Sequence, residues 1–416
     1  MSVSRRNLLH GLGGMSVASA FAPGLARAAI ADGSPPGRVV LPDRASFTFE
    51  GIHLNAAYTH PIGRFATAAT NAYVAERMNN PGRNWPVANA RNEAVALYAD
   101  LIDANPAEIA IVPSTLEGEN LIAEALGLGP GAGVVTDAFH YDAALAMYGE
   151  RQKRGMPLVV LGPRDNRIDY DALDRAITRE TKLVAVSLVA SVSGYMHDLK
   201  RVCEIAHAKG ALVYADVIQA VGAIPFDVKK SGVDFCCAGM YKWLMGEFGA
   251  AFLYVKADVL PRLKRVQLGW QGVRHYQGHA LPTDPPGPPG GEWELGTTTA
   301  NIFEVSTQNW GGLATTVGAL GYIKSIGVEA LARHRVPMLA RLQHVFVAAG
   351  YALLTPPGFQ GPSLVFAKPG MGPRYGPALK TAKIYTTLYK DRIRIAPSVH
   401  NSMADIDRIA AILTAA

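Results

Sequence analysis

From about residue 90 the chain alternates between two hydrophobic rhythms. "RNEAVALYADLIDA", "LEGENLIAEALGL", "YDAALAMYGERQKRG", "DYDALDRAITRE" and "DLKRVCEIAHAKG" space their apolar residues by three and four, the period of a helix. Between them lie short, almost wholly apolar runs: "EIAIVPS", "GAGVVTDAFH", "PLVVLG", "KLVAVSLVAS" and "ALVYADVIQ". Buried strands that alternate with helices predict an α/β fold with one mostly parallel sheet of about seven strands, helices covering both faces. Residues 271–296, "QGVRHYQGHALPTDPPGPPGGEWELG", break the rhythm. Their proline and glycine content predicts an irregular loop, and a loop this long is functional or reaches toward a partner. Two long helical patterns follow, 309–327 and 328–350, then the short strands "LVFAKP" and "RIRIAPS" and the helix "MADIDRIAAILTA". These predict a smaller α+β C-terminal domain.

The 416 residues are 49% hydrophobic and 18% charged, the balance of a globular enzyme with a substantial core. The formal charge is +6, of which Arg5, Arg6 and Arg27 contribute three, and no Lys/Arg-rich block gives a nucleic-acid footprint. Residues 1–28 change the picture. "SRRNLL", an uncharged run and the small-residue pattern "ARA" follow one another as in an export signal. The arginine pair resembles the twin-arginine signal, which implies export of a folded protein to the periplasm after cleavage near Ala28–Ala29. No other stretch reaches the roughly 18 uninterrupted apolar residues of a membrane span. Cys203, Cys236 and Cys237 do not make a disulfide framework and are expected to be buried free thiols.

Candidate chemistry collects where strands end, because open α/β sheets bind ligands beyond the carboxyl ends of their strands. Ser114 and Thr115 open a helix after "EIAIVP", and exposed N–H groups with the positive dipole end make a phosphate seat there. Taken alone this reads better as an ordinary helix cap. Asp216 ends an apolar strand and Gln219 lies one turn on; a buried carboxylate requires a partner. His140 follows another strand, and alone it is better explained by packing. Lys242 stands between Tyr241 and Trp243 in the apolar stretch "VDFCCAGMYKWLMGEFGAAFLYV". Desolvation favours its neutral amine, a nucleophile able to condense with an aldehyde. A phosphate seat, a carboxylate, an aromatic ring and such a lysine together fit pyridoxal phosphate, which needs a Lys Schiff base and a carboxylate at its pyridinium nitrogen.

The run "YADVIQAVGAIPFDVKKSGVDFCCAGMYKWLMGEFGAAFLYV" resembles the signature of the class V aminotransferases, the fold-type I family that includes cysteine desulfurases, kynureninases and isopenicillin N epimerases. "LNAA" from Leu54, "STLEGEN", "GTTTAN" and "RIRIAPSVHNSMADIDR" resemble further family motifs in the same order, over nearly the whole chain after the signal. The resemblance implies a segment 29–60 packing on the small domain, a large cofactor-binding domain over 61–300 and a small domain over 301–416. It implies that Lys242 carries the cofactor as an internal aldimine and shuttles the substrate α-proton. Asp216 would pair with the pyridine nitrogen, Gln219 would reach the phenolic oxygen and His140 would stack on the ring. Ser114, Thr115 and the backbone of Leu116 would hold the phosphate, joined by Thr297 of a second subunit, so that a homodimer shares the active site. Arg394 would grip the substrate carboxylate, with Asn55 beside it. The family pattern is departed from at Leu116, where a threonine is common, at Gly239, where a serine is common, and at Ser191, often an asparagine near the ring oxygen. Tyr241 precedes the lysine and would make up for lost phosphate contacts. No metal is expected.

Transamination, epimerisation and C–S or β-elimination remain open on these residues; an aminotransferase-type reaction on an amino acid or peptidyl amine is the leading expectation. The stretch "GPRYGPALKTAKIYTTLYKD" before Arg394 lacks the nucleophilic cysteine of the desulfurases, which argues against persulfide chemistry. Export points to secreted or envelope metabolites. The 271–296 loop either lines the pocket of the partner subunit, with Arg274 and His275 as candidate specificity residues, or is equally a plain surface loop. A pyridoxal-phosphate binder without turnover would not need the clamp at Arg394. A dinucleotide-binding protein is excluded, since no G-x-G-x-x-G opens a helix after an early strand.

Overall fold

The computed structural model describes residues 39–80, 85–358 and 361–415. The export signal read at 1–28 lies outside the described residues. A short strand β1 (Ile52–His53) leads to helix Arg64–Asn79 and helix Trp85–Leu101, and then the predicted alternation begins. Its strands are β2 (Ile109–Val112), β3 (Gly133–Asp137), β4 (Leu158–Leu161), β5 (Thr181–Ser187), β6 (Leu212–Asp216), β7 (Phe235–Gly239) and β8 (Ala251–Val255). They form one seven-stranded sheet in the order β2-β8-β7-β6-β5-β3-β4, in which β8 runs antiparallel to both neighbours and every other pairing is parallel. Six parallel strands therefore point their carboxyl ends to one edge. Both faces are covered, which is why β2, β3, β6, β7 and β8 are buried along their whole length and read as unbroken apolar runs. One apolar layer contains Val184, Val213 and Phe252 with helix residues such as Tyr98 and Val202; the opposite layer contains Leu183, Tyr214, Leu253 and Ile122. Tyr98 stacks on Phe252 with ring centroids 4.1 Å apart.

The Pro/Gly-rich stretch is not irregular throughout. β9 (Val273–Gln277) and β10 (Glu292–Leu295) pair antiparallel, with Trp293 opposite Tyr276 and Glu294 opposite His275. The prolines and the paired glycines are confined to the connection between them, so "VRHYQ" and "EWEL" keep the donors and side chains a ladder needs. Arg274 and Glu294 form an exposed ion pair across this ribbon.

Helix Trp310–Ile326 packs on helices Arg64–Asn79 and Trp85–Leu101, with Leu313, Val317, Leu320 and Ile323 in the core of the large sheet. The chain then continues in helix Val328–Ala348 to a four-stranded antiparallel sheet, β11 (Ala352–Leu353), β12 (Leu364–Ala367), β14 (Thr387–Leu388) and β15 (Arg392–Ile395). β13 (Ile384–Tyr385) pairs instead with β1, and Leu54 enters the same small core as Phe346, Phe366 and Ile393. Helices Met371–Thr381 and Met403–Thr414 complete this layer. All three cysteines are buried and free. Among the described residues no helix is long and apolar enough to cross a membrane.

Candidate active site

The carboxyl edge of the large sheet gathers the polar residues. After β2 the chain turns into helix Thr115–Ala125, capped by Ser114, whose hydroxyl accepts from Glu117 N–H at 3.1 Å. A helix start leaves its first N–H groups without intrahelical acceptors, here those of Thr115 and Leu116. Thr115 Oγ1 accepts from Gly239 N–H at 2.9 Å, which ties the helix start to the end of β7. At Gly239 an added Cβ would stand only 3.0 Å from Ile218, 3.1 Å from Tyr241 and 3.3 Å from Thr115 Oγ1, so the missing side chain leaves a cradle between these three residues.

Asp216, 6% exposed, ends β6 directly beside Ser187 at the end of β5. Its carboxylate accepts from Ile218 N–H at 3.0 Å. Burial raises its pKa, opposed by the Ile218 hydrogen bond and by the positive charges of His140 and Lys242. Gln219, buried one turn on, donates to Ala57 C=O at 2.8 Å and accepts from Trp243 Nε1 at 3.0 Å.

Lys242 follows β7 in a tight loop. Met245 N–H bonds Lys242 C=O at 2.9 Å and Gly246 N–H bonds Met240 C=O at 2.8 Å. Met245 takes the left-handed conformation, φ +57°, a strained choice for a side chain with a Cβ. Gly222 permits the loop's closest approach: at φ +84° it faces Trp243 C=O, and an added Cβ would lie 2.4 Å from that oxygen. Burial pushes the Lys242 ammonium down to about 8; Asp216 pulls it back and Arg394 pushes it further down. Among the described residues no ion pair holds it. Its nitrogen lies 5.7 Å from the centre of the Tyr241 ring, which stacks on Phe248 at 4.5 Å.

His140 follows β3 and is buried. Its Nδ1 lies 2.9 Å from Ser187 Oγ and its Nε2 lies 2.8 Å from Glu119 Oε1, an oxygen that also accepts from Tyr148 O–H at 2.7 Å. From the small sheet comes Arg394 of β15. It donates to Ser191 C=O at 3.0 Å and to Thr387 Oγ1 at 3.2 Å; Thr387 in turn donates to Asn55 Oδ1 at 2.6 Å. Arg394 Nε is buried with no partner, an N–H left over for an acceptor.

The structure thus brings Ser114, Thr115, Leu116, His140, Asp216, Gln219, Gly239, Tyr241 and Lys242 to one edge, and joins Asn55, Ser191 and Arg394 in a second hydrogen-bonded group. Thr297 stands apart. It is exposed after β10, before a helix (Thr299–Phe303) capped by Thr298 and Asn301, and no contact within one chain joins it to Lys242. Glu119, Tyr148, Ser187 and Thr387 were not singled out in the sequence. Glu119 carries a signal there: it lies three and four residues before Ile122 and Ala123, which puts an acid on the apolar side of its helix.

An aldehyde cofactor with an anionic phosphate fits this set: a low-pKa amine, a buried carboxylate across from it, a helix start with a glycine cradle, and an unpartnered guanidinium N–H. Known proteins agree. The family model of the class-V aminotransferases matches residues 66–348, more than half of the chain. An uncharacterized aminotransferase, YcbU of Bacillus subtilis, is 29% identical over 335 residues, 79% of this chain and 86% of that protein. A probable cysteine desulfurase of Methanothermobacter thermautotrophicus is 26% identical over 299 residues, 70% of this chain and 71% of the relative. In fold, the cystine C–S lyase C-DES in complex with cysteine persulfide superposes with a TM-score of 0.78 at 19% identity, over 88% of this chain and 97% of the lyase. Family and site together make the chain a pyridoxal-phosphate-dependent enzyme. It belongs to the class-V aminotransferase family.

Proposed function

We propose that the protein is an aminotransferase-type enzyme acting on the amino group of an amino acid or a peptidyl amine, exported folded to the periplasm and working as a homodimer. One observation carries the reading: Lys242, whose ammonium burial brings down to about 8, follows the end of β7 on the edge where Asp216 ends β6, and the charges of both Asp216 and Arg394 act on it. Bound pyridoxal phosphate supplies an electron-withdrawing ring able to absorb the charge left when a substrate loses its α-proton. The rest is work for this chain's residues. Lys242 would hold the cofactor and move a proton at its Nζ. Asp216 would hold the ring nitrogen protonated, and Gln219, its amide fixed by Trp243 and Ala57, would face the ring oxygen. Thr115 and the N–H groups of Thr115 and Leu116 hold the phosphate, with Tyr241 alongside. Arg394 receives the substrate carboxylate, oriented by Ser191 C=O and by the Thr387–Asn55 pair.

Thr297, exposed and apart from its own chain's Lys242, is free to complete the phosphate seat of a second copy; sedimentation that finds only an active monomer would refute this. The cysteines support the transaminase side against persulfide chemistry, since burial raises all three thiols, Cys203 to about 12. Incubating the exported protein with a panel of amino acids in deuterated water tests the reaction. A keto acid supports transamination; label at Cα without keto acid, or an eliminated fragment, would replace it with epimerisation or lyase chemistry.

A further inference from the structure

Glu119 has no part in the functions assigned above, yet it is among the least exposed charged residues of the protein, 1% exposed. It projects from the apolar side of helix Thr115–Ala125, the helix whose start forms the phosphate seat. A carboxylate so placed is expensive unless partnered. Two donors converge on its Oε1: His140 Nε2 at 2.8 Å and Tyr148 O–H at 2.7 Å. A carboxylate only accepts, so the proton of the first contact belongs to His140 Nε2. Burial and the neighbouring Glu119 keep the Tyr148 hydroxyl protonated, so it donates to the carboxylate. On the other side of the imidazole, Ser187 Oγ lies 2.9 Å from Nδ1. Both ring nitrogens are therefore committed to the protein. An aromatic plate alone would not need this; a phenyl ring would pack as well without a buried acid behind it.

We infer that Glu119 is a positioning residue, which fixes the plane of His140 and keeps its ring an imidazolium, so that His140 supplies a fixed positive charge beside Asp216 and does not carry protons for the substrate. The charged groups that act on the ring come from three elements: Glu119 from the helix, Asp137 from the end of β3 and Asp216 from the end of β6. Burial works against the charged ring, and the three carboxylates, Glu119 foremost, outweigh it. The pair stands on its own geometry, while its role in the reaction rests on the proposed cofactor site. With His140 fully engaged, Lys242 is left as the proton carrier.

The test is long-range ¹⁵N–¹H spectroscopy of the histidine side chains in ¹⁵N-histidine-labelled holoprotein, the His140 signal being identified by its loss in His140→Phe. The wild type is expected to give an imidazolium signature at neutral pH. Glu119→Gln, which keeps shape and acceptor but removes the charge, should lower the titration midpoint of His140 by about 1–3 pH units. Tyr148→Phe should leave the imidazolium in place. A wild-type His140 that is neutral at neutral pH, or a midpoint unmoved in Glu119→Gln, overturns the inference; where Glu119→Gln fails to fold, the wild-type signal assigned through His140→Phe decides. Borohydride reduction of the same samples separates the two claims. Absence of a pyridoxyl adduct on the Lys242 peptide defeats the cofactor site and leaves the histidine titration to be judged by itself.

Discussion

Two buried groups of histidine-containing side chains meet opposite fates in this molecule. At the carboxyl edge of the large sheet, His140 is enclosed by Glu119, Asp137 and Asp216, and its pKa is raised in spite of complete burial. Where the N-terminal segment meets the small layer, His53, His60 and His400 crowd together, with ring centroids 5.3 Å apart for His60 and His400 and 5.7 Å for His53 and His400. The charges that reach this second group are positive: the histidines act on one another first, then Arg335 on His60 and Arg44 on His400. Burial first, then those neighbours, lowers His60 to about 3 and His400 well below its ordinary value, while burial takes His53 to about 4. His53 Nδ1 and His400 Nδ1 have no hydrogen-bond partner, whereas His140 has one at each nitrogen. Burial disfavours charge in both places; only where the fold also buries counter-charges is the imidazole's pKa raised.

The largest effect expected on this contrast is at Lys242. Lys242→Ala removes the amine around which the first group is built, and turnover should fall on the order of 10³-fold or more, with no adduct on borohydride reduction. A variant that still turns over substrate near the wild-type rate breaks the site. The second group should reveal itself in acid. Unfolded imidazoles take up protons below about 6.5, whereas the folded ones resist until about 4 at His53 and about 3 at His60. The unfolded state binds more protons throughout that interval, so stability is lost as pH falls from about 6.5 to about 3, by on the order of several kcal/mol for the group. Denaturant midpoints measured across this range check it, and His53→Gln should flatten the slope. Next is the uptake of pyridoxal phosphate by apoprotein. Because burial holds Lys242 near 8, the rate should rise about tenfold per pH unit up to about 8 and then level, as followed by absorbance. A rise that continues toward the ordinary lysine range would mean a solvated amine. The smallest effect belongs to an exposed control, Arg274→Ala, which breaks the ion pair with Glu294 and should leave the denaturant midpoint unchanged.

Much of the first group was legible because strand ends announce themselves. Asp216, His140, Thr115 and Lys242 each follow an apolar run, and a doubly covered parallel sheet brings such ends together. Glu119 was legible only as an acid out of phase with its helix; that Tyr148 and His140 would meet it depends on how helix Asp142–Gln152 lies against helix Thr115–Ala125, which no local pattern encodes. The ribbon of β9 and β10 was hidden for a different reason. Its prolines and glycines, counted over the whole stretch, outweighed two short alternating segments whose pairing with each other stabilises them. The second histidine group was out of reach altogether, since His53, His60 and His400 come from opposite ends of the described chain and are joined only by tertiary packing.

The reversed direction of β8 has a mechanical consequence for the lysine. Since β7 ends and β8 begins on the same edge, residues 240–250 span that edge as an arch with both feet set in the sheet, Gly239 pairing with Ala251 at the base. The other strand ends there lead away toward helices. This one has nowhere to go, and its keystone is the contorted backbone at Met245. A nucleophile mounted so is presented at a set height above the sheet, with its freedom surrendered during folding instead of at each encounter with a ligand.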